Sequence, residues 1–278
     1  MTVEALSPAR RAERTRPSLA RFGRALAPWA LPILILVVWE IAARAGLVNA
    51  RLLPAPSTIA SAFWRSLQDG SLIANTWAST KRALIGLLIG GGLGFLGGLA
   101  TGLWRPAETL LDSTVQMIRN IPHLALIPLV ILWFGIGETA KIFLVAIGVF
   151  FPLYINTFHG VRTVDRQLVE MAEVYGLDRR ARLSRIILPG ALPSILVGLR
   201  YALGLMWLTL IVAETISATS GLGYMTMNAR EFLQTDVVIL GILVYALLGK
   251  LADWATKAIE RRALSWHPAY QIARENKP

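Results

Sequence analysis

Long apolar stretches alternate with shorter polar segments along most of this sequence. Six of the stretches come close to the roughly 20 residues that a helix needs to cross the hydrocarbon core of a bilayer. They cover residues 29–48, 83–103, 110–134, 142–158, 195–217 and 237–256. Because a bilayer offers no hydrogen-bond partner to an open strand edge, spanning segments of this kind are helices. The pattern predicts an all-α, polytopic membrane protein with six transmembrane helices.

Basic residues are concentrated in alternate polar segments. The first 28 residues hold six arginines, the segment 159–194 holds six more, and five Lys or Arg residues follow Thr256. Cytoplasmic segments carry such an excess of positive charge, so both termini are predicted to be cytoplasmic. The predicted organisation is a basic arm over 1–28, a six-span domain over 29–256 with a cytoplasmic loop over 159–194, and a basic tail over 257–278.

The composition supports a membrane class and excludes several kinds of site. Hydrophobic residues make up 55% of the chain and charged residues only 16%, whereas soluble domains carry about 25% charged residues. The absence of cysteine excludes disulfides and thiol chemistry. The three histidines, His123, His159 and His267, lack metal-ligand spacing, so no metal site is expected. The net charge of +11 comes without an aromatic-interleaved basic patch, which argues against nucleic-acid binding.

The second span has a stripe of glycines that predicts close helix packing. Glycine recurs every four residues at Gly86, Gly90, Gly94, Gly98 and Gly102. Small residues on one helical face allow two backbones to approach closely in lipid. Static packing is favoured over a sliding surface, because such stripes are ordinary in membrane bundles. Before this span, residues 53–70 are too polar to cross the bilayer and predict a short helix at the outer interface.

Polar side chains within two spans are candidates for a translocation path. Pro122 is expected to break the third span, and Arg119, Asn120 and His123 flank it. These three side chains either contact an anionic substrate or satisfy the backbone groups that the break frees. Glu214 lies deep in the fifth span, where a lone carboxylate is costly, so an ion pair or a gate contact is expected there.

The segment 159–194 predicts two short amphipathic helices that project from the bilayer. Asp165 is a suitable N-cap, and Gly176 permits a turn before a second, basic helix. The first helix brings Leu168, Met171, Ala172 and Tyr175 to one face. This apolar stripe has no obvious partner within the chain, which indicates that it docks on another protein.

The same segment resembles the EAA loop of binding-protein-dependent ABC importer permeases. The matching residues are Glu170, Met171, Ala172, Gly176, Ile186, Leu188 and Pro189, with Met171 standing where alanine is usual. In that family the loop, here together with Asp165, forms the coupling helix that docks into a groove of the ATPase subunit. The resemblance therefore implies that these residues receive the motion of an ATPase.

Other segments resemble the sulfonate, taurine and nitrate branch of this family. They are residues 53–57, 121–129, 133–138 and 220–224. Within the branch, the sequence looks most like the aliphatic sulfonate permeases. The resemblance implies a small anion as the substrate, with taurine or nitrate as the alternatives to sulfonates.

The resemblance also implies the rest of the machine. It implies a type I importer fold, a homodimer, two ATPase subunits, a periplasmic or lipid-anchored solute-binding protein and a bacterial inner-membrane location. No G-x-x-x-x-G-K-[ST] motif occurs, since Gly249-Lys250 is followed by leucine, so ATP and Mg²⁺ are expected on the ATPase and no cofactor on this chain. The chain is thus expected to transport rather than to catalyse. A secondary transporter remains the alternative of another class, although no inverted repeat supports it.

Overall fold

The computed structural model describes residues 19–266, and these residues form helices and no strands. The helices are α1 (Leu19–Arg44), α2 (Pro56–Gln68), α3 (Ser71–Leu103), α4 (Arg105–Arg119), α5 (His123–Phe134), α6 (Glu138–Arg162), α7 (Arg166–Val174), α8 (Arg179–Ile216), α9 (Leu222–Glu231) and α10 (Thr235–Ala263). The all-α prediction is confirmed. Much of the predicted basic arm, up to residue 18, and the tail beyond Trp266 lie outside the described residues, so the predicted domain limits stay predictions.

Within the described part of the chain, four helices are long and apolar enough to cross a membrane. These are α3, α6, α8 and α10, and the pair α4 and α5, bent by 84°, is a fifth candidate if it forms one span. The predicted break in the third span is therefore confirmed. The count of six is not, because the predicted span over 29–48 falls on α1, which is not among these candidates.

The second span begins well before its predicted start at residue 83. The helix α3 starts at Ser71, so Lys81 and Arg82 lie inside it rather than at its end. The prediction failed because it ended the span at the first polar residues. In the structure Ser79 and Arg82 are buried and hydrogen-bond to Glu214 of another helix, which offsets the penalty of placing them in a span.

The chain divides into two compact units at Thr58. In the first unit, the Glu40 carboxylate lies 2.5 Å from Arg44 Nε and accepts hydrogen bonds from the backbone N–H and the hydroxyl of Ser57, at 3.0 and 2.7 Å. Glu40 and Arg44 lie four residues apart on α1, a spacing that puts them on one helix face. One carboxylate thus connects the end of α1 to the first turn of α2, as helix N-terminal groups favour a negative charge.

The second unit, from Ile59 onward, is organised around α6. Its apolar side chains Val145 and Val149 pack with Met206 and Leu210 of α8 in a buried cluster. On its other side, the glycine stripe of α3 contacts the α6 backbone, and a Cβ atom added at Gly90 would collide with Ala146. The predicted close packing of the stripe is confirmed.

Candidate functional site

The helix α7 begins at a side-chain cap. Asp165 has an extended backbone, with φ −60° and ψ 121°, and its carboxylate accepts a hydrogen bond from the Gln167 backbone N–H at 2.8 Å. An aspartate at this position satisfies a donor that the first helical turn leaves unpaired, and its charge favours the positive end of the helix dipole. The predicted cap is confirmed.

A glycine ends the same helix. Gly176 has φ +77°, a left-handed conformation that side chains disfavour. Its N–H donates to the carbonyl of Glu173 at 2.9 Å, and the N–H of Leu177 donates to the carbonyl of Ala172 at 3.0 Å. This pair of hydrogen bonds is a Schellman motif. The predicted turn is confirmed, and it separates α7 from α8.

The apolar stripe of α7 has a partial partner in the chain, contrary to the prediction. Ala172 is 2% exposed, while Leu168 and Met171 remain about half exposed and border an apolar groove of about 630 Å³. The groove is lined by Leu168, Met171, Arg185, Ile186, Pro189, Gly190 and Trp266. The sequence could not bring Leu168 to the same groove as Pro189 and Trp266, because these residues are far apart along the chain.

The tip of α7 has no such cover. Val174 and Tyr175 are 87% and 77% exposed, although both are large and apolar or aromatic. Exposed groups of this kind that adjoin at a helix end are candidates for a contact with another protein. We call these two residues the α7 tip.

The predicted second short helix does not exist as a separate element. The side chain of Asp178 caps it by accepting from the Ala181 N–H at 2.7 Å, but the helix then continues as α8 to Ile216. A π-helical turn over Leu183–Ile187 precedes Leu188 and Pro189, so the helix passes a proline that lacks an N–H donor. The second half of the loop, from Arg179, is consequently one continuous helix with the fifth span.

The three polar residues at the break between α4 and α5 do not converge. His123 Nε2 lies 3.1 Å from the Thr209 hydroxyl oxygen of α8. Asn120 donates from its side chain to the carbonyl of Gln116 at 3.1 Å, within its own helix, and Arg119 is exposed. Only His123 of the three therefore contacts another helix, while Asn120 satisfies the local backbone.

Glu214 lies at the centre of a buried polar network. Its carboxylate accepts hydrogen bonds from Arg82 Nη1 at 2.6 Å, Ser79 Oγ at 2.7 Å, Tyr245 Oη at 2.8 Å and the Gly223 backbone N–H at 2.9 Å. The side chain is fully buried. The predicted ion pair is confirmed, and three further donors satisfy the remaining lone pairs, as a buried charge requires.

Arg82 uses all of its donor capacity inside this network. Its nitrogens donate to both carboxylate oxygens of Glu138 at 2.6 and 2.7 Å, to Glu214 at 2.6 Å, and to the hydroxyl and carbonyl oxygens of Ser220 at 2.7 Å. A guanidinium has five N–H groups, so none remains for a substrate anion. Lys141 donates to Glu138 at 3.1 Å, which gives two cations and two carboxylates and a neutral network. The network therefore stabilises the fold and does not bind the substrate.

Comparison with known proteins decides the family. Residues 86–265 match the family of binding-protein-dependent transport system inner membrane components. This chain belongs to that family. It is thus a membrane-spanning permease subunit of an ABC importer, a transport component rather than an enzyme, and the secondary transporter is not favoured. Membership implies an ATPase and a binding protein as the permease's partners.

Individual relatives agree with this assignment. The permease is 60% identical over 89% of its length to an Escherichia coli protein named as an aliphatic sulfonates transport permease, SsuC, covering 94% of it. A Bacillus subtilis protein of the same name is 44% identical over 94% of the permease and 94% of its own length, and the E. coli taurine permease TauC is 38% identical, with 85% and 88% covered. A chain of the inward-facing MetNI methionine ABC transporter shares the fold, with 18% identity, a TM-score of 0.51, and 72% and 98% covered.

The permease's polar network also explains a motif that was known only by resemblance. In the segment 220–224, Gly221 has φ +111° and its N–H donates to the Asn75 side chain at 2.8 Å. The N–H of Leu222 donates to the Ser79 hydroxyl at 2.8 Å. The motif therefore forms a turn that is hydrogen-bonded to α3.

Most network residues on α3 were missed from the sequence, although a signal existed. Asn75, Ser79 and Arg82 follow one another at intervals of four and three residues, which puts them on one face of a helix. A polar face that leads into the glycine stripe indicates contact with polar groups of a neighbouring helix. Tyr245 carries no comparable pattern, since it is an isolated polar group in an apolar run, and Glu138 is three residues before its own partner Lys141.

Proposed function

We propose that this permease moves aliphatic sulfonates across the bacterial inner membrane, driven by a separate ATPase. The observation that carries the substrate class is the 60% identity, over 89% of the chain, to a protein named for aliphatic sulfonate transport. Taurine, itself a sulfonate, is the second candidate, because a taurine permease is 38% identical over 85% of the chain. Nitrate has no comparable relative among these.

In this proposal α7 is the coupling helix. Its tip offers Val174 and Tyr175 to a groove on the ATPase, while the cap at Asp165 and the turn at Gly176 fix its length. Because the chain after Gly176 enters one continuous helix, displacement of α7 is transmitted directly to α8 and so to Glu214 near its far end. Closing of the ATPase dimer then turns the cavity outward by rigid-body motion.

The substrate path in this proposal passes the break between α4 and α5. Irregular backbone at membrane depth is tolerated where it lines a cavity. Arg119 is exposed on one side of the break, and on the other side the His123 ring of α5 lies 3.1 Å from the Thr209 hydroxyl of α8. A cation and two polar groups suit a sulfonate headgroup. Glu214 and Arg82 are not part of the path in this proposal, since their hydrogen bonds are internal.

The assembly that we propose contains two copies of this chain, two ATPase subunits that bind ATP and Mg²⁺, and a solute-binding protein on the outer side. Both termini are cytoplasmic, as the excess of Lys and Arg in the terminal segments and in 159–194 favours. The permease itself holds no cofactor in this scheme.

Reconstitution tests this proposal. The permease, its ATPase and its binding protein are placed in liposomes, and ATP-dependent uptake of ethanesulfonate, taurine and nitrate is measured. We expect ethanesulfonate uptake to exceed that of the other two anions and to need both ATP and the binding protein. Preferred uptake of nitrate would overturn the substrate class, and uptake that persists without ATP would overturn the mechanism.

A loop deletion separates the importer from a secondary transporter. Removal of residues 166–176 takes out α7 and the glycine turn without touching α8. We expect membrane insertion to persist while ATPase association and uptake are lost. A secondary transporter would keep its uptake after this deletion, and that result would contradict the proposed coupling role.

A further inference from the structure

Two adjoining clefts lie on the side of α7 away from its apolar groove. Both are bordered by Leu103, Val169 and Ile187, and their volumes are about 380 and 460 Å³. The other lining residues are Gly102, Arg105, Val161, Arg162, Val164, Arg166, Glu170, Arg179, Arg182 and Leu183. We call the two together the basic cleft. It separates the ends of α3 and α6 from α7 and the start of α8.

The basic cleft has more positive charge than its own carboxylates neutralise. Arg162 pairs with Glu108 at 2.5 Å, and Arg182 pairs with Glu173. The guanidinium groups of Arg105, Arg166 and Arg179 are exposed and form no ion pair within residues 19–266. Among the lining residues that the structure describes, Glu170 has the only carboxylate. The cleft is therefore built to take an anion, and arginine forks suit phosphate oxygens.

The floor of the cleft is apolar and comes from the ends of two candidate spans. Gly102 and Leu103 end α3, and Val161 lies in the last turn of α6. Trp104, next to Arg105, is 63% exposed. Exposed tryptophans beside basic residues at the end of a span mark the headgroup level of a bilayer. The cleft thus opens where lipid phosphates lie, with an apolar floor for the glycerol end of the acyl chains.

We propose that the basic cleft binds the headgroup of an anionic phospholipid. A free phosphate would leave the apolar floor uncovered, and a protein partner is served by the α7 tip. A bound lipid would bridge the end of α3 at Arg105 to α7 at Arg166 and to α8 at Arg179. It would thereby hold the coupling helix against the bundle, and transport would depend on anionic lipid. This inference shares with the proposed function the cytoplasmic position of α7.

The test removes the three uncompensated charges. In the complete transporter, Arg105, Arg166 and Arg179 are changed to Gln, and the control changes Arg180, Arg261 and Arg262 to Gln. The control residues are also exposed arginines, and they line neither cleft. Retained phosphatidylglycerol is counted by native mass spectrometry, and uptake is measured in phosphatidylcholine vesicles with and without phosphatidylglycerol.

We expect the triple variant to lose the retained lipid and the stimulation by phosphatidylglycerol, while the control keeps both. Each arginine near an anionic surface strengthens binding by about fivefold, so the affinity should fall by about a hundredfold. Equal lipid retention and stimulation in both variants would overturn the proposal. So would stimulation by inorganic phosphate in pure phosphatidylcholine, or loss of ATPase association in the triple variant without any lipid dependence. Lipid retention is measured independently of transport, so it can be interpreted even if no sulfonate uptake is observed.

Discussion

The polar network around Glu214 and the α7 tip are opposite cases of side chains in unfavourable surroundings. The network buries Arg82, Lys141 and Glu214 next to the half-exposed Glu138, yet each charged group has an oppositely charged partner in the same chain. The tip exposes Val174 and Tyr175, and no residue of the described part of the chain covers them. The fold gives every charge of the network a partner, whereas it leaves the side chains of the α7 tip uncovered.

This difference separates stability from association. Groups that are completed internally contribute to the free energy of unfolding, and their loss leaves a buried charge without a partner. Groups that are left uncovered contribute little to the free energy of unfolding and instead contribute to the binding of a partner that covers them. Substitutions in the two regions should therefore change different measurements.

The largest effect is expected from Arg82→Met. It leaves the buried Glu214 without its cation, which costs about 3–5 kcal/mol of the free energy of unfolding. Thermal unfolding of the purified permease in detergent measures the loss. The double variant Arg82→Met with Glu214→Gln should recover part of it, because the uncompensated charge is gone. A stability of Arg82→Met equal to that of the unchanged permease would contradict the structural role of the network.

The tip variant Tyr175→Ala should weaken ATPase binding by about 2 kcal/mol while leaving thermal unfolding unchanged, since aromatic anchors dominate interfaces. Affinity for the purified ATPase is measured in detergent. The matched control is Tyr201→Ala, an exposed tyrosine of α8 outside the loop, which should bind the ATPase normally. A tip variant that binds as tightly as the control would remove α7 from the proposed interface.

A smaller effect is expected from Gly176→Ala. It should lower the free energy of unfolding by about 1–2 kcal/mol, because a left-handed conformation strains a residue with a Cβ atom. Space is not the cause, since nothing lies within 4 Å of the position where that atom would be. Gly176→Asn should restore part of the stability, as asparagine tolerates this conformation. The helical Gly204, which has equally open surroundings, is the control, and Gly204→Ala should not destabilise the permease. Thermal unfolding of all three variants in detergent checks this order of stabilities.

The smallest effect is expected from Arg65→Ala. Arg65 pairs with Asp236 at 2.9 Å, but its side chain is 63% exposed, so the pair contributes less than about 1 kcal/mol. Thermal unfolding should therefore barely change. A loss as large as that of Arg82→Met would mean that burial does not distinguish the two ion pairs.

Features that depend on neighbouring residues were predictable. The cap at Asp165, the turn at Gly176 and the break near Pro122 each follow from the chemistry of one or two residues. It was also predictable that Glu214 has a partner, because a buried carboxylate requires one. Its partner Arg82 was not, since the contact joins residues 132 positions apart.

The start of α3 and the continuity of α8 were predicted wrongly for one reason. Polar residues at Ser79 and Arg82, and the proline at 189, are ordinary signals for the end of a span or a helix. In this permease their neighbours in space supply the missing hydrogen bonds or accommodate a widened turn, and the helices continue. Local sequence has no access to that compensation.

The sequence alone determined that this is an all-helical membrane chain, because apolar runs of membrane length can only become helices in lipid. It also determined the cap and the glycine turn of α7, and the family motif between Glu170 and Pro189. The tertiary structure decided which charges neutralise one another, which part of the α7 stripe is covered, and that Arg105, Arg166 and Arg179 line adjoining clefts. Those facts depend on contacts between distant segments, and packing in three dimensions is what brings such segments together.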